Sequence, residues 1–266
     1  MTRGSQNALN ETDASAVEML TRIRAALGRD AGAAPDELPP FTIQPAAIEA
    51  EDLVNQFCVE LEKVGGHVAR LRSRDEVKNY LLSLLPADRH ISVGISDGAA
   101  LSVLGVREWL VEAGVGVVAT LKEFASLREA EAGAKPAASA EGGASASLME
   151  QYKRALIEAS IGITCADYAL ADTGTLVLVS GDEQHRMISM LPPVHVCLLS
   201  PEHILESLTQ LLARLRGDFQ PRAMSAQAMT CITGPSRTAD IEQTITLGVH
   251  GPRSLHVLLY SPATGG

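Results

Sequence analysis

Apolar residues recur along this chain in two alternating rhythms, one of helix period and one of strand period. Ala16, Leu20, Ile23 and Leu27 share one helical face between residues 13 and 27, and Arg22, Arg24 and Arg29 gather toward its C-terminal end, where cations complement the helix dipole. From Pro45 the rhythms alternate. Ile48, Leu53, Phe57, Leu61 and Val64 mark a helix that stops at Gly65-Gly66, and residues 67–71 read as a strand. Ser73 and Glu76 form a capping box that opens a helix to Leu85, closed by Pro86. Ile91, Val93 and Ile95 make a strand, a turn follows at Asp97-Gly98, and one helix is expected through Leu101, Leu104, Trp109 and Leu110. Residues 115–119 then read as a strand, 148–160 as a helix on a Tyr152, Leu156, Ala159 face, and 163–170 and 175–180 as strands. A strand at 194–199, a helix over 201–216 capped by Ser200, and strands at 228–233 and 256–260 complete the series. Repeated β-α-β units of this kind predict an α/β fold, a mostly parallel sheet flanked by helices on both faces.

Composition divides the chain further. Residues 28–45 carry four prolines among small residues, so residues 1–45 read as a helix on a mobile linker, and 46–266 as one domain. Residues 130–147 are almost entirely Ala, Gly, Ser, Pro and are expected to form a low-complexity surface excursion with no apolar face. A net charge of −10 and a pI near 5.2 disfavour nucleic acid and anionic membranes as partners, and 3 % aromatic residues leave little for base stacking. No apolar run reaches spanning length, and residues 1–10 lack the basic patch and apolar core of a secretory signal, so the expected location is the cytosol. Cys58, Cys165, Cys197 and Cys231 are scattered without a C-x-x-C pair, and His195 and His203 fall in different elements without ligand spacing. No metal and no iron–sulfur cluster are therefore expected in this chain. Phosphate-loop, dinucleotide and nucleophile-elbow signatures are missing as well.

Two segments have turn chemistry that goes beyond generic loops. In Ala171–Leu178 a polar Asp172-Thr173-Gly174-Thr175 turn joins two strands, and its amides can cradle a carboxylate or phosphate, or equally form a tight hairpin satisfied by its own side chains. In Thr233–Glu242, Gly234 and Pro235 stop a strand, Ser236, Arg237 and Thr238 offer donors, and Asp240 and Glu242 can orient Arg237 or accept a proton. If strand 228–233 belongs to an open parallel sheet, this loop lies outside the carboxyl edge, where ligands gather. The alternative reading has Thr238 capping a short helix and Arg237 paired with Asp240 as support. A third turn, 248–253, brings His250 and Arg253, and His185 and Arg186 form a further polar cluster. The ligand-binding candidates are thus Asp172, Thr173, Gly174, Thr175, Gly234, Ser236, Arg237, Thr238, Asp240 and His250.

The segment Ile163–Leu178, the Leu-Pro-Pro-Val-His run 191–195, and Thr233–Glu242 followed by Gly-Val-His-Gly-Pro at 248–252 together resemble the lactate utilisation protein C family, the small members of the LUD-domain proteins. The resemblance extends from about Ala46 to Tyr260, includes the Arg-Ile-Arg-Ala-Ala-Leu helix at 22–27, and is weakest over 128–147. It implies a fold similar to the sugar-phosphate isomerase and CoA-transferase type. It implies a role in oxidation of L-lactate to pyruvate alongside iron–sulfur subunits; with no redox cofactor site visible, this chain is expected to be an accessory, non-redox component with no cofactor of its own, and Arg237, Ser236 and the 172–175 backbone are expected to form a pocket for a small carboxylate or other anion. The scattered cysteines match the cluster-free branch of the family. Two other readings stay open: a stand-alone enzyme on a phosphorylated or CoA-linked substrate, and a regulatory binding module docking through its N-terminal helix.

Overall fold

The computed structural model of the protein describes residues 49–86, 91–120, 141–180, 186–218, 228–239 and 245–262, with 18, 19, 21, 22, 25, 26, 123 and 126; at 141–147, 180, 216–218, 238–239 and 245–247 only the backbone is described. The chain divides into two compact units, Met1–Thr42 and Ile43–Gly266. In the first, the described residues are helical and Arg22 pairs with Glu18 at 2.7 Å, one turn apart.

The second unit begins with helix α1 (Ala50–Lys63), whose Val54, Phe57, Cys58 and Leu61 recur at three- and four-residue spacing and are all buried. Full burial of Phe57 and Leu61 contributes about 1.5–3 kcal/mol each. Strand β1 (His67–Leu71) and helix α2 (Arg74–Ser83) follow. The α2 capping box is formed: Ser73 Oγ accepts from the Glu76 amide at 3.2 Å, and the Glu76 carboxylate accepts from the Ser73 amide. After β2 (Ser92–Ile95), the one expected helix is two, α3 (Ala99–Leu104) and α4 (Val106–Glu112). Gly105 breaks it in a left-handed conformation, φ 70°, which a side-chain-bearing residue rarely takes. Arg74 seals the break, donating to the Leu104 carbonyl at 2.7 Å while its guanidinium lies 5.5 Å from the Trp109 ring centroid.

The series continues through β3 (Gly116–Val118), α5 (Glu141–Glu158), β4 (Ile161–Cys165), β5 (Tyr168–Leu170), β6 (Thr175–Ser180), α6 (Arg186–Met190) and β7 (Val194–Leu199). A 3-10 turn (Pro201–His203), β8 (Ile204–Leu205), α7 (Leu208–Asp218), β9 (Ala228–Ile232), β10 (Arg237–Ala239), β11 (Ile245–Leu247) and β12 (Ser254–Tyr260) complete it. Three expectations change here. The end of the low-complexity segment, 141–147, is helical, because its alanines extend the amphipathic helix that follows; residues 130–140 lie outside the described residues. The expected strand 163–170 is two, β4 and β5, in different sheets. The expected helix 201–216 begins only at 208: Ser200 Oγ binds Glu202 Oε1 instead of capping, and the chain spends 204–205 as a strand against β5.

The large sheet has the order β1-β12-β7-β4-β2-β3, and every neighbouring pair is parallel. Its central strands are apolar on both faces, as a doubly covered parallel sheet requires. One face carries Val93, Ile95, Ile161, Ile163, Val196 and Leu198 against α2, α3 and α4. The opposite face is covered by two blocks. Over β7 and β12 lie α1 and a second sheet of order β8-β5-β6-β9, in which β6 runs antiparallel to both neighbours; α5 lies over β2 and β3, and α6 lies against β4. No helix among the described residues is long and apolar enough to cross a membrane.

Candidate functional site

The loops expected to bind a ligand come together, but not at the carboxyl edge. Strand β9 belongs to the small antiparallel sheet, so the premise that its loop opens at a parallel carboxyl edge fails. Backbone bonds place that loop instead beside the starts of the large-sheet strands. The Ser236 amide donates to the Pro252 carbonyl, the Gly248 amide to the Ser236 carbonyl, and the Arg253 amide to the Pro193 carbonyl, just before β12 and β7 begin. Residues 237–239 form a hairpin with β11, Thr238 opposite Thr246, so Thr238 caps no helix. Asp240, Glu242 and His185 lie outside the described residues.

This amino-edge corner is organised around the end of α1. The guanidinium of Arg237 donates to the carbonyl of Val64, the C-cap residue of α1, as Arg74 does at the end of α3. Gly174, φ 63°, brings the 172–175 turn so close that a Cβ would collide with the backbone of Glu60 and Leu61. Thr173 Oγ1 reaches Asp172 Oδ1 at 3.1 Å and Thr175 Oγ1 at 2.8 Å, and Thr175 Oγ1 reaches Thr233 Oγ1 at 2.7 Å. A hydroxyl chain thus ties the β5–β6 hairpin to the end of β9. Arg237, Arg253 and His250 are exposed at the rim. The candidates of both turns are brought together here, held largely by one another and by α1.

A second polar group, not singled out by its sequence, lies on the doubly covered face of the large sheet. By strand alternation, Gly94 and Ser96, Gly162 and Thr164, and His195 and Cys197 face the same way, and the register sets Gly94 beside Gly162, Gly162 beside His195 and Thr164 beside Cys197. The Ser96 amide extends the pairing by donating to the Ile163 carbonyl. Ser96, Thr164 and His195 are each at most 4 % exposed. Thr164 Oγ1 lies 2.8 Å from His195 Nε2 and donates to Cys197 Sγ at 3.6 Å, and Cys197 points its thiol at the Leu198 carbonyl. Thr164 Oγ1 and His195 Nε2 share one hydrogen bond, whose donor is set by the imidazole tautomer. Burial pushes the His195 pKa down to about 3, so the ring is neutral, and burial pushes the Cys197 thiol well up. Among the described residues, two buried side-chain polar atoms have no hydrogen-bond partner, Ser96 Oγ and His195 Nδ1, and both belong to this row.

The row runs obliquely across the sheet, from His195 near the amino end of β7 to Ser96 at the carboxyl edge, where β2 stands between β3 and β4, so the chain leaves β2 toward one side and returns on the other. Gly98 there lies so near β4 that a Cβ would sit 2.8 Å from Cys165 Sγ. Asp97 is exposed at the rim, and Asp167 Oδ2 accepts from the Val179 amide at 2.7 Å. The strand–turn–helix pattern at 92–101 could have signalled this edge; nothing in the spacing marks Thr164 or His195. Among the described residues, no group of three or more His, Cys, Asp or Glu is placed to hold a metal ion.

Comparison with known proteins adds a family. The LUD domain model matches residues 54–260. Proteins named lactate utilization protein C are similar to parts of the chain: that of Geobacillus sp. (strain WCH70) is 37 % identical over 95 residues, 36 % of this chain and 39 % of the relative. That of Anoxybacillus flavithermus is 40 % identical over 94 residues, 35 % and 40 % of the two chains, and that of Bacillus subtilis 34 % identical over 104 residues, 39 % and 43 %. The chain thus spans about two fifths of the length of the curated relatives it matches. A crystal structure of a DUF162 family protein from Deinococcus radiodurans superimposes with a TM-score of 0.49 at 17 % identity, covering 80 % of this chain and 99 % of that one.

Proposed function

This chain belongs to the LUD domain family, and from that premise we propose that it serves lactate utilisation as a non-redox accessory component of a cytosolic system oxidising L-lactate to pyruvate. The observation that carries the reading is the 34–40 % identity to proteins named lactate utilization protein C. The cysteines support the non-redox part. Cys58, Cys165 and Cys197 are buried, and burial pushes the Cys165 thiol up to about 11 and that of Cys197 higher still, so both stay protonated and make poor cluster ligands. Electron transfer then falls to iron–sulfur partner subunits. A small-anion contact is assigned to the amino-edge corner, supported by the exposed Arg237, Arg253 and His250 on loops tied to one another.

Deletion of the gene, in a strain with no second copy, is expected to impair growth on L-lactate as sole carbon source, with growth restored by the wild-type gene. Undiminished growth would sink the reading. A lactate-dependent dye-reduction assay on the purified complex, with and without this chain, then separates an accessory role from a catalytic one.

A further inference from the structure

Edge strand β1 joins the large sheet through β12, and the first residue of their parallel register sets His67 directly beside His256. The two imidazoles stack, with ring centroids 4.6 Å apart and planes inclined by 24°. By strand alternation both rings lie on the α2 side of the sheet, with Ala69 and Leu258 next along the same face. His67 is exposed and His256 is half-buried. The inner ring is held at both nitrogens, since Nδ1 lies 3.0 Å from the Tyr80 hydroxyl of α2 and Nε2 lies 2.7 Å from Ser254 Oγ. A ring fixed at both nitrogens cannot turn away from a charged neighbour, so the movable partner is His67 together with its strand.

Little else near the pair balances charge. Tyr80 and Ser254, which α2 and β12 turn toward His256, are uncharged, and Arg253 lies instead against Gly248. Burial and the His67 charge lower the His256 pKa to about 4, and no carboxylate among the described residues offsets them. Two imidazoles this close accept one proton readily and resist the second. The ends of β1 differ in how they are tied. At the carboxyl end the Leu71 carbonyl accepts from the Ser261 amide at 3.1 Å, and Arg70 binds Glu51 and Asn55 of α1. The amino end continues into the Gly65–Gly66 turn, whose amides donate to the Glu62 and Leu61 carbonyls and which lies against the Arg237 guanidinium.

We propose that the His67–His256 stack is an acid-sensitive clasp on the amino end of β1, closed while at most one ring is charged and opened by the second proton, which loosens the Gly65–Gly66 turn beside Arg237. In the opened strand both rings reach water and titrate in the ordinary imidazole range, about pH 6.5. The opened form binds more protons, so the clasp is complete above that pH and weakens as the pH falls toward 4. It does not depend on whether the corner binds an anion.

Hydrogen exchange of the full chain, followed by mass spectrometry and corrected for the intrinsic pH dependence of exchange, tests the clasp at pH 7.5 and 5.5. Protection of a peptide spanning residues 65–69 is expected to fall by about three- to tenfold between these values. His67→Gln removes the opposing charge and should lessen that fall. His67→Glu sets an opposite charge beside the same ring and should abolish it. His195→Gln, which alters a buried imidazole away from the stack, should leave it intact. NMR titration of the ring is a second readout, in which the His256 midpoint should rise in His67→Gln and rise further in His67→Glu. An undiminished fall in both His67 variants, its loss in His195→Gln, or an unmoved His256 midpoint overturns the proposal.

Discussion

Replacing Arg237 by Ala separates the two duties that its position allows. The guanidinium donates to the Val64 carbonyl at the end of the 14-residue helix α1, a terminus that carries part of the helix dipole. A cation there is worth about 0.3–1 kcal/mol, and a charge-assisted bond to an exposed carbonyl adds roughly 1 kcal/mol, so the loss should be about 1–2 kcal/mol. In a domain of this size each kcal/mol moves the melting temperature by about 2–4 °C, so Arg237→Ala is expected to melt roughly 2–8 °C below wild type. Arg237→Lys keeps the charge and loses the planar fork, and should fall between the two. Melting by circular dichroism provides the readout, with growth on L-lactate measured in parallel. An unchanged melting temperature for Arg237→Ala would refute the capping argument, and lost growth at unchanged stability would hand the residue to the ligand alone.

Gly174→Ala should be the more damaging change. It places a side chain at φ 63°, against the backbone of Glu60 and Leu61, and should cost about 3 kcal/mol or more, read as a collapse in soluble yield or a large drop in melting temperature; near-native stability would mean that the turn is not clamped to α1. Acid should destabilise the fold through two histidines. Burial lowers the His195 pKa to about 3, and burial with His67 alongside lowers that of His256 to about 4, against about 6.5 in the unfolded chain. The unfolded state therefore binds more protons below pH 6.5, so this stability is complete above that pH and is lost as the pH falls toward 4 and then 3. The slope approaches about 1.4 kcal/mol per pH unit for the fully buried His195 and is smaller for the half-buried His256, which faces Tyr80, Ser254 and His67. Urea midpoints between pH 7.5 and 5 measure it, and His195→Gln should flatten the curve; equal slopes for the two proteins would reject the assignment.

Most of the fold was legible because it rests on local signals. The α1 stripe, the Ser73–Glu76 box and the apolar runs of β2, β4 and β7 each report their own neighbourhood, and the alternating periods imply a parallel sheet. The misread segments are those whose fate is set at long range. Residues 163–170 read as one strand, yet the chain leaves the large sheet after Cys165 and joins the small one at Tyr168, a choice fixed by partners β7 on one side and β6 on the other. Residues 204–205 are strand only because β5 lies beside them.

The candidate site divides along the same line. Turn chemistry singled out 172–175 and 233–237, and tertiary contacts show what these turns do in the fold: Gly174 admits α1, the threonines link two strands, and Arg237 closes a helix. Arg74 performs the same closure at α3 without any loop motif to advertise it, so an arginine beside a glycine after a helix is as much a packing signal as a ligand signal. The row of Ser96, Thr164 and His195 shows the reverse. Its members are drawn from three strands that are far apart in sequence, each sits in an otherwise apolar run, and one sequence cannot reveal that a parallel register aligns them. The large-sheet face needs no hydroxyl or imidazole for its packing, and apolar side chains would bury there without unpaired atoms. That surplus polarity, which no motif marks, sets the row apart from the amino-edge corner, whose side chains are largely taken up by architecture.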